Sequence, residues 1–315
     1  NASQMDFSAE IQKDAYLNYA RLSYEIGNAY EPVPQVISSY MEQYPNDSHA
    51  QEMQELLVDS YITSKNFEGA LELLEKNRGY ASKTTYQKVA FYRGIELFMN
   101  GDYAGANEYF TKSLGSAEDA FFKARANYWN AEAVYMLNRF EEALANYTDF
   151  NQNSTARLTE EYKDVDYNLA YTHFKLRDYG NAISYYNIFS KSETVDQVKL
   201  NDNYFLLGDS YFVTSKYWPE IETYNTSLAL SGPEKDYAAF QKALSYGFVG
   251  KSASKIDELD KFVSRYPKST LKDDALFELG NSYIAAGQEN KGLITYDRLI
   301  EGYRGSSLVP QAIMR

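Results

Sequence analysis

Few side chains of the types that usually perform catalysis or bind metals are present in this sequence. Its 315 residues include no cysteine and two histidines, His49 and His173. The absence of cysteine excludes disulfides, thiolate metal sites and cysteine nucleophiles. His49 lies in a turn after Pro45 and His173 lies within a helical pattern. We therefore interpret both as structural residues rather than as metal ligands or general bases.

Sequence motifs of catalytic and cofactor sites are also absent. The chain contains no HExxH, GxSxG, Walker A or GxGxxG pattern. Its carboxylates are numerous but scattered. We interpret Glu141-Glu142 and Glu160-Glu161 as exposed helix starts, where negative charge suits the helix dipole. We therefore predict that the protein is not an enzyme and has no catalytic residue, no metal site and no cofactor.

Charge and hydropathy argue against two classes of partner. The chain has 31 basic and 44 acidic residues and a net charge of −13, whereas binding a nucleic-acid backbone requires clustered lysine and arginine. It contains no apolar run of about 18 residues, so we predict no direct insertion into a membrane. A hydrophobic content of 44% with seven prolines is sufficient for a folded core.

The stretch from Val89 to Leu114 shows the element that the rest of the chain repeats. Apolar residues recur there at steps of three and four, which places them on one face of a helix. Asn100-Gly101-Asp102 divides the stretch and supplies a left-handed residue followed by a helix N-cap. The stretch is therefore predicted to be a helical hairpin, with Gly94 and Ala106 at the crossing of its two helices.

A small or near-small residue equivalent to Gly94 recurs every 35 to 39 residues. These residues are Ala20, Val58, Gly94, Ala131, Ala170, Gly208, Ala243 and Gly280. So steady a period predicts stacked helical hairpins in one solenoid over residues 1–315. Small residues would let the paired helices approach, and a leucine at Gly94 or Ala106 would overpack the contact.

The hairpins are predicted at residues 14–45, 52–78, 87–115, 124–151, 163–191, 202–231, 237–266 and 273–303, with a truncated ninth at 306–315. Departures from the pattern are Val58, at a position for a small residue, and Glu220, Lys255 and Gly292, where alanine is expected. We expect the second helix of the sixth unit to start late, and a mild joint near Gly232-Pro233. Because the chain begins with Asn1-Ala2 and stops within a helical pattern, we expect it to be part of a longer protein.

This pattern resembles the tetratricopeptide repeat. The signature is carried by Leu207-Gly208…Tyr211, Leu279-Gly280…Tyr283 and Gly94…Ala106…Phe110, and the resemblance extends from Asp14 to Tyr303. The resemblance implies an all-α, right-handed superhelical solenoid of about eight helix-turn-helix repeats. The segments MEQYPNDSHAQEM and FVSRYPKSTLKDDALFELGNSY also look like tetratricopeptide proteins of the bacterial cell envelope. This narrower likeness favours a periplasmic or outer-membrane-associated location over the cytoplasm.

In this family the first helix of each repeat lines a concave groove, which here would present two largely aromatic rows and a polar row. The first row is Leu17, Glu55, Phe91, Tyr128, Tyr167, Phe205, Phe240 and Phe277. The second row is Tyr24, Ile62, Phe98, Tyr135, Phe174, Phe212, Gly247 and Ile284. The polar row is Arg21, Asp59, Ile95, Glu132, Tyr171, Asp209, Leu244 and Asn281.

The third to sixth repeats therefore predict an aromatic strip edged by acids. The predicted partner-binding residues are Phe91, Phe98, Tyr128, Glu132, Tyr135, Tyr167, Tyr171, Phe174, Phe205, Asp209 and Phe212. The alternative is that these rings only pack between neighbouring repeats. Co-chaperones of this family that grip acidic tails use cations in the groove, but Lys88 and Arg125 are the only cations near it in the central repeats. A neutral or basic partner segment is therefore favoured.

Two functions remain open at this point. The first is a non-catalytic scaffold that binds a segment of another protein in the groove. The second is a glycan-binding module of a bacterial envelope lipoprotein, in which exposed aromatic faces, including those of Trp129 and Trp218, would stack on sugars. No separate sugar-binding lobe is visible beside the repeats, which favours the scaffold.

Overall fold

The computed structural model describes residues 8–77, 79–116, 118–192, 196–230 and 232–315. In these ranges the regular structure is helical throughout, with no β-strand. The helices are α1 (Ala9–Ile26), α2 (Val33–Gln43), α3 (Ala50–Thr63), α4 (Phe67–Lys76), α5 (Lys83–Met99), α6 (Tyr103–Gly115), α7 (Ala120–Met136), α8 (Phe140–Gln152), α9 (Val165–Lys175), α10 (Tyr179–Phe189), α11 (Gln197–Val213), α12 (Tyr217–Ala229), α13 (Lys235–Phe248), α14 (Ser252–Arg265), α15 (Lys272–Ala285), α16 (Glu289–Gly302) and α17 (Val309–Ile313). Successive helices pack in pairs, as the hairpin period predicts.

A residue with positive φ separates the two helices of every pair from α1–α2 to α15–α16. Four of these residues are glycines, Gly27, Gly101, Gly250 and Gly287. The other four are Lys65, Asn138, Arg177 and Ser215, with φ between 58° and 61°. In the third repeat Gly101 has φ 82° and the Asp102 side chain accepts a hydrogen bond from the backbone N–H of Gly105 at 2.9 Å. The predicted left-handed residue and N-cap are confirmed at this turn.

The small residues that define the period lie at the crossing of each helix pair. All eight are buried. A Cβ at Gly94 would lie 2.6 Å from Phe110 Cε1, and a Cβ at Gly208 or Gly280 would lie 2.5 Å from Cε1 of Tyr224 or Tyr296. Contacts that short are not tolerated between carbon atoms, so the ring sixteen residues downstream occupies the space that the glycine leaves. The prediction of small residues at the crossings is confirmed.

The chain forms two compact units, Asn1–Tyr162 and Lys163–Arg315. The first unit contains α1 to α8 and a 3-10 helix at Ser154–Leu158, and the second contains α9 to α17. A second 3-10 helix, Glu160–Asp164, spans the boundary. The division therefore falls at this boundary and not at the joint expected near Gly232-Pro233. A single solenoid over the whole chain stays a prediction.

Two departures from the repeat pattern are absorbed locally. The expected late start of the sixth unit's second helix is wrong, because α12 begins at Tyr217, as close behind its partner helix as in other repeats. Pro219 lies in its first turn, where a missing N–H has no helical partner to lose. In the seventh unit Gly247 makes room for the stem of Lys255, since a Cβ there would lie 2.9 Å from Lys255 Cδ.

Candidate functional site

The side of each helix pair on which the three predicted rows lie is here called the first-helix face. Four residues of the first row are buried, namely Leu17, Phe91, Tyr128 and Phe240. Phe91 is 0% exposed, and its ring contacts Phe110 and Phe122 at centroid distances of 5.9 and 5.4 Å. Tyr128 is 7% exposed and packs against Phe150 at 5.2 Å. Phe91 and Tyr128 therefore offer little surface to a partner, because both rings are enclosed by packing within the first unit.

Four rings of the second row are half-buried and pack edge-to-face across their own hairpin. Each packs against the aromatic residue that begins the second helix, at centroid distances between 5.1 and 5.9 Å. The pairs are Phe98–Tyr103, Tyr135–Phe140, Phe174–Tyr179 and Phe212–Tyr217. One edge of each ring is therefore occupied by the hairpin, while part of its surface stays accessible on the first-helix face.

In the second unit the remaining aromatic residues of the strip are also half-buried. The Tyr167 hydroxyl donates a hydrogen bond to Asp202 of the next repeat, and its ring lies 5.9 Å from Tyr171. Phe205 packs against Tyr237 of the following repeat at 5.3 Å. These residues pack between neighbouring repeats and also keep some accessible surface. They could therefore contribute both to packing and to contact with a ligand.

The acids of the polar row accept hydrogen bonds from tyrosines of the repeat core. The Tyr147 hydroxyl donates to Glu132 Oε1 at 2.6 Å, and the Tyr224 hydroxyl donates to Asp209. Burial raises the pKa of Asp209, and the hydrogen bonds from Tyr224 and Tyr237 act in the opposite direction. Glu132 and Asp209 therefore have a structural role that sequence reasoning missed. The detectable signal was a tyrosine fifteen residues after the acid, a spacing that recurs at Asn281.

Two cavities lie on the first-helix face, one in each unit. In the first unit a cavity of about 960 Å³ lies between α3 and the start of α5, and Tyr24, Glu55 and Asp59 are among the residues that line it. In the second unit a cavity of about 800 Å³ lies between α13 and α15, lined by Phe240 and Phe277 among others. All five belong to the predicted rows, but none belongs to the aromatic strip of the third to sixth repeats.

The charges that line both cavities are predominantly negative. No lysine or arginine lines the cavity of the first unit, where Asp59 accepts a hydrogen bond from the Tyr24 hydroxyl and Glu55 is exposed. Lys255 lines the cavity of the second unit, but its Nζ is held by Glu278 Oε2 at 2.6 Å. Both recesses therefore present an excess of negative charge.

His173, Glu161 and Trp129 have packing roles. His173 is buried, with its Nδ1 3.0 Å from Asp178 Oδ2 and its ring stacked on Tyr185. Glu161, predicted to be exposed, is instead 8% exposed and accepts hydrogen bonds from Arg125 Nε at 2.8 Å and Trp129 Nε1 at 2.9 Å. The Trp129 ring is half-buried and packs against Phe98 at 5.2 Å and Tyr128 at 5.8 Å, so it lends no support to the glycan-binding alternative.

The described ranges contain no group of three or more histidine, cysteine, aspartate or glutamate side chains placed to hold a metal ion. None of their helices combines the length and the apolar character that crossing a membrane requires.

Comparison with known proteins identifies one repeat in sequence. Residues 274–306, which span α15 and α16, match the tetratricopeptide repeat family model. No curated protein matches the chain.

Solved structures match the fold over most of the chain. The C-terminal part of a TPR repeat-containing protein from Cytophaga hutchinsonii matches with a TM-score of 0.57 and 13% identity, covering 81% of this chain and 98% of that one. YrrB, a TPR protein with an unusual peptide-binding site, matches with a TM-score of 0.50 and 18% identity over 66% of this chain and 100% of its own. The apo form of RapI matches with a TM-score of 0.50 and 13% identity, over 92% and 86% of the two chains.

At these sequence identities the structural matches show the fold alone, which is that of an all-α helical repeat protein. The helix pairs, the small residues at their crossings and the match at residues 274–306 agree with it. Residues 274–306 are therefore recognisable as a tetratricopeptide repeat, and the chain as a whole has the helical-repeat fold of these structures.

Proposed function

We propose that this protein is a non-catalytic scaffold that binds a neutral or basic segment of another protein on its first-helix face. The observation that carries the proposal is the pair of cavities on that face, of about 960 and 800 Å³, whose lining includes carboxylates and no unpaired cation. Concave recesses with a few convergent polar groups are the usual form of binding sites. YrrB, which shares the fold, is described as having a peptide-binding site, and this supports a similar use of the repeats here.

Half-buried rings of the predicted strip extend the proposed surface beyond the cavities. Phe98, Tyr135, Tyr171, Phe174 and Phe212 keep accessible area while one edge is held by neighbouring rings. Aromatic side chains held in this way bind with little loss of conformational freedom, which favours their use at interfaces. Phe91 and Tyr128 are left out of the proposed surface because they are buried.

The distribution of charge favours a basic partner for the first unit. Residues 1–162 contain 24 acidic and 13 basic side chains, whereas residues 163–315 contain 20 and 18. The excess of negative charge in the first unit would speed the encounter with a cationic segment and weaken in high salt. An acidic segment would meet Glu55 and Asp59 without a compensating cation.

The test is selection of peptides from a random library on the immobilised protein, followed by measurement of their dissociation constants. We expect the selected peptides to be neutral or basic. We also expect a Glu55→Gln, Asp59→Asn double variant to weaken those that bind the first unit by roughly tenfold. The matched control is Glu72→Gln, because Glu72 is an exposed acid on α4 that does not line the cavity.

The proposal fails if selection yields no binder. It also fails if the selected peptides are acidic, or if they protect residues outside the first-helix face from hydrogen exchange. Unchanged binding by the double variant, with its helicity intact, would remove the first-unit cavity from the proposed surface.

A further inference from the structure

The cavity of the second unit is walled by three phenylalanines from two repeats. Phe240 is buried and Phe277 is half-buried against Tyr296, at a centroid distance of 6.0 Å. Phe248 is 60% exposed, yet its ring is stacked on Tyr217 at 4.6 Å with an interplanar angle of 17°. One face of Phe248 is thus fixed by a neighbouring repeat while other parts of the ring remain accessible. Such a wall is formed before any ligand arrives.

Asp274, which also lines this cavity, differs from the residues at the same place in six preceding repeats. Three residues before each first-row position stands a polar side chain that is paired with a neighbouring repeat. The pairs are Glu52–Arg21, Lys88–Asp119, Arg125–Glu161, Asp164–Lys199, Asp202–Tyr167 and Tyr237–Asp209. Asp274 has no hydrogen-bond or ion-pair partner among the described residues. In the sixth repeat, Asp202 accepts its hydrogen bond from Tyr167, the first-row residue of the preceding repeat. The corresponding residue for Asp274 is Phe240, which has no hydroxyl.

The surroundings of Asp274 leave its charge uncompensated. Burial raises the pKa of Asp274, and the nearby carboxylates of Asp273 and Glu278 raise it further. A carboxylate in the first turn of a helix is ordinarily stabilised by the helix dipole, so the opposite shift means that burial and repulsion dominate. The one cation that lines the cavity, Lys255, is already held by Glu278 at 2.6 Å.

An unpaired carboxylate in the same recess as accessible aromatic rings is an arrangement that can recognise an organic cation. The carboxylate supplies a counter-charge in a partly desolvated recess, and the ring faces attract the same cation through their quadrupole. Lysine and arginine side chains also carry an apolar stem that can pack along the rings. A neutral polar side chain would gain less from the carboxylate, and an acidic one would be repelled.

We propose that the cavity between α13 and α15 is a recognition site for one lysine or arginine side chain of the bound segment. Asp274 is its counter-ion, and Phe248 and Phe277 are its walls. The inference rests on the proposed function, because it assigns a subsite within the first-helix face of the second unit. It adds a requirement that general peptide binding does not make, namely a cation at one defined position of the ligand.

The experiment uses peptides selected on the whole protein and synthesised in matched pairs, with lysine or the uncharged norleucine at each cationic position. At one of these cationic positions, we expect the norleucine peptide to bind the wild-type protein roughly tenfold more weakly than the matched lysine peptide. Asp274→Asn should weaken the lysine peptide by a similar factor and leave the norleucine peptide unchanged. The matched control is Asp273→Asn, which removes the same charge one residue away, in the same helical turn but outside the cavity lining.

Two further measurements separate ligand recognition from a structural role. Removing an unpaired, half-buried carboxylate should leave the melting temperature of Asp274→Asn equal to the wild type or higher, whereas a structural Asp274 would lower it. Phe248→Ala should weaken the lysine peptide several-fold. Trp218→Ala, which removes another exposed ring outside the cavity lining, should not.

The outcomes distinguish this inference from the function on which it rests. If peptides bind the first-helix face without preference for lysine over norleucine, or if Asp274→Asn and Asp273→Asn behave alike, the cation site is overturned and the scaffold function stands. If no peptide binds the first-helix face, both fail together.

Discussion

Replacing the buried carboxyl of Glu220 should change how the stability of the second unit depends on pH. Glu220 is 0% exposed and stands where four other repeats have Ala70, Ala106, Ala143 and Ala182. Neither carboxyl oxygen has a hydrogen bond of ordinary geometry among the described residues, although Ser245 lies beside it and lowers its pKa in part. Burial is the largest influence and, with repulsion from Asp209, raises the pKa of Glu220 to about 8.

The magnitude follows from the difference between the folded and unfolded pKa values. A folded pKa of about 8 against a reference of 4.5 is a difference of about 3.5 units, which corresponds to at most ~5 kcal/mol at 1.36 kcal/mol per unit. Between these values the folded chain keeps the proton that the unfolded chain releases. The free energy of unfolding therefore falls as pH rises from 4.5 toward 8. Buried sites behave as if the effective dielectric constant were about 20, so we expect the free energy of unfolding to fall by about 2–5 kcal/mol over this pH range.

The assay is denaturant unfolding of the wild type and Glu220→Gln at several pH values from 5 to 9. Fluorescence of Trp218, on the same helix, reports on α12 when Trp129 is replaced by phenylalanine in both proteins. Glutamine does not titrate, so its advantage over the wild type should be small at pH 5 and largest at pH 9. Glu222→Gln, an exposed change on the same helix, should give a difference that hardly varies with pH. A constant difference between Glu220→Gln and the wild type across this range would refute the reasoning.

Three further changes test the packing and the turns. Gly208→Ala should lower the free energy of unfolding by about 1–3 kcal/mol, because its Cβ would lie 2.5 Å from a ring carbon of Tyr224. The control in the same denaturant unfolding is Gly115→Ala, because a Cβ at Gly115 would have no atom within 4 Å. Ser215→Gly should raise the melting temperature. Ser215 has a left-handed φ of 58°, which is unfavourable for a residue with a Cβ, and glycine should remove about 1 kcal/mol of this backbone strain. Lys13 holds the pKa of Asp47 well below its usual range, so that stability is present above pH 3.8 and lost in acid. Denaturant unfolding should therefore show Asp47→Asn less stable than the wild type at pH 7, with the difference shrinking below pH 4; a difference independent of pH would contradict this.

The fold was predictable because its signals are local in the chain. Gly94 and the ring of Phe110 are sixteen residues apart, within one hairpin, and Gly101-Asp102 specify the turn between them through backbone chemistry alone. Repetition of such signals every 35 to 39 residues then implies a stack of similar hairpins. The sequence shows that Lys255 stands where the repeat pattern expects alanine. It does not show that Gly247 leaves the space that the Lys255 side chain occupies.

The exposed and buried members of the first-helix face could not be separated in the same way. Phe91 and Phe98 are chemically identical and lie about two helical turns apart on α5. Phe91 is nevertheless enclosed by Phe122 of the next repeat, while Phe98 keeps accessible surface. The cause is the placement of the neighbouring repeat, which no periodicity within the helix encodes. The same holds for Glu161, whose burial depends on Arg125 and Trp129 in the preceding repeat.

The helical hairpins, their number, their turns and the small residues at their crossings therefore follow from the sequence alone. So does the net negative charge of the chain. Only the tertiary structure decided which aromatic rings face solvent, where the cavities lie and which carboxylates lack a partner. The reason is physical: hairpin formation depends on contacts within about 20 residues, whereas accessibility and charge pairing depend on how one repeat is placed against the next.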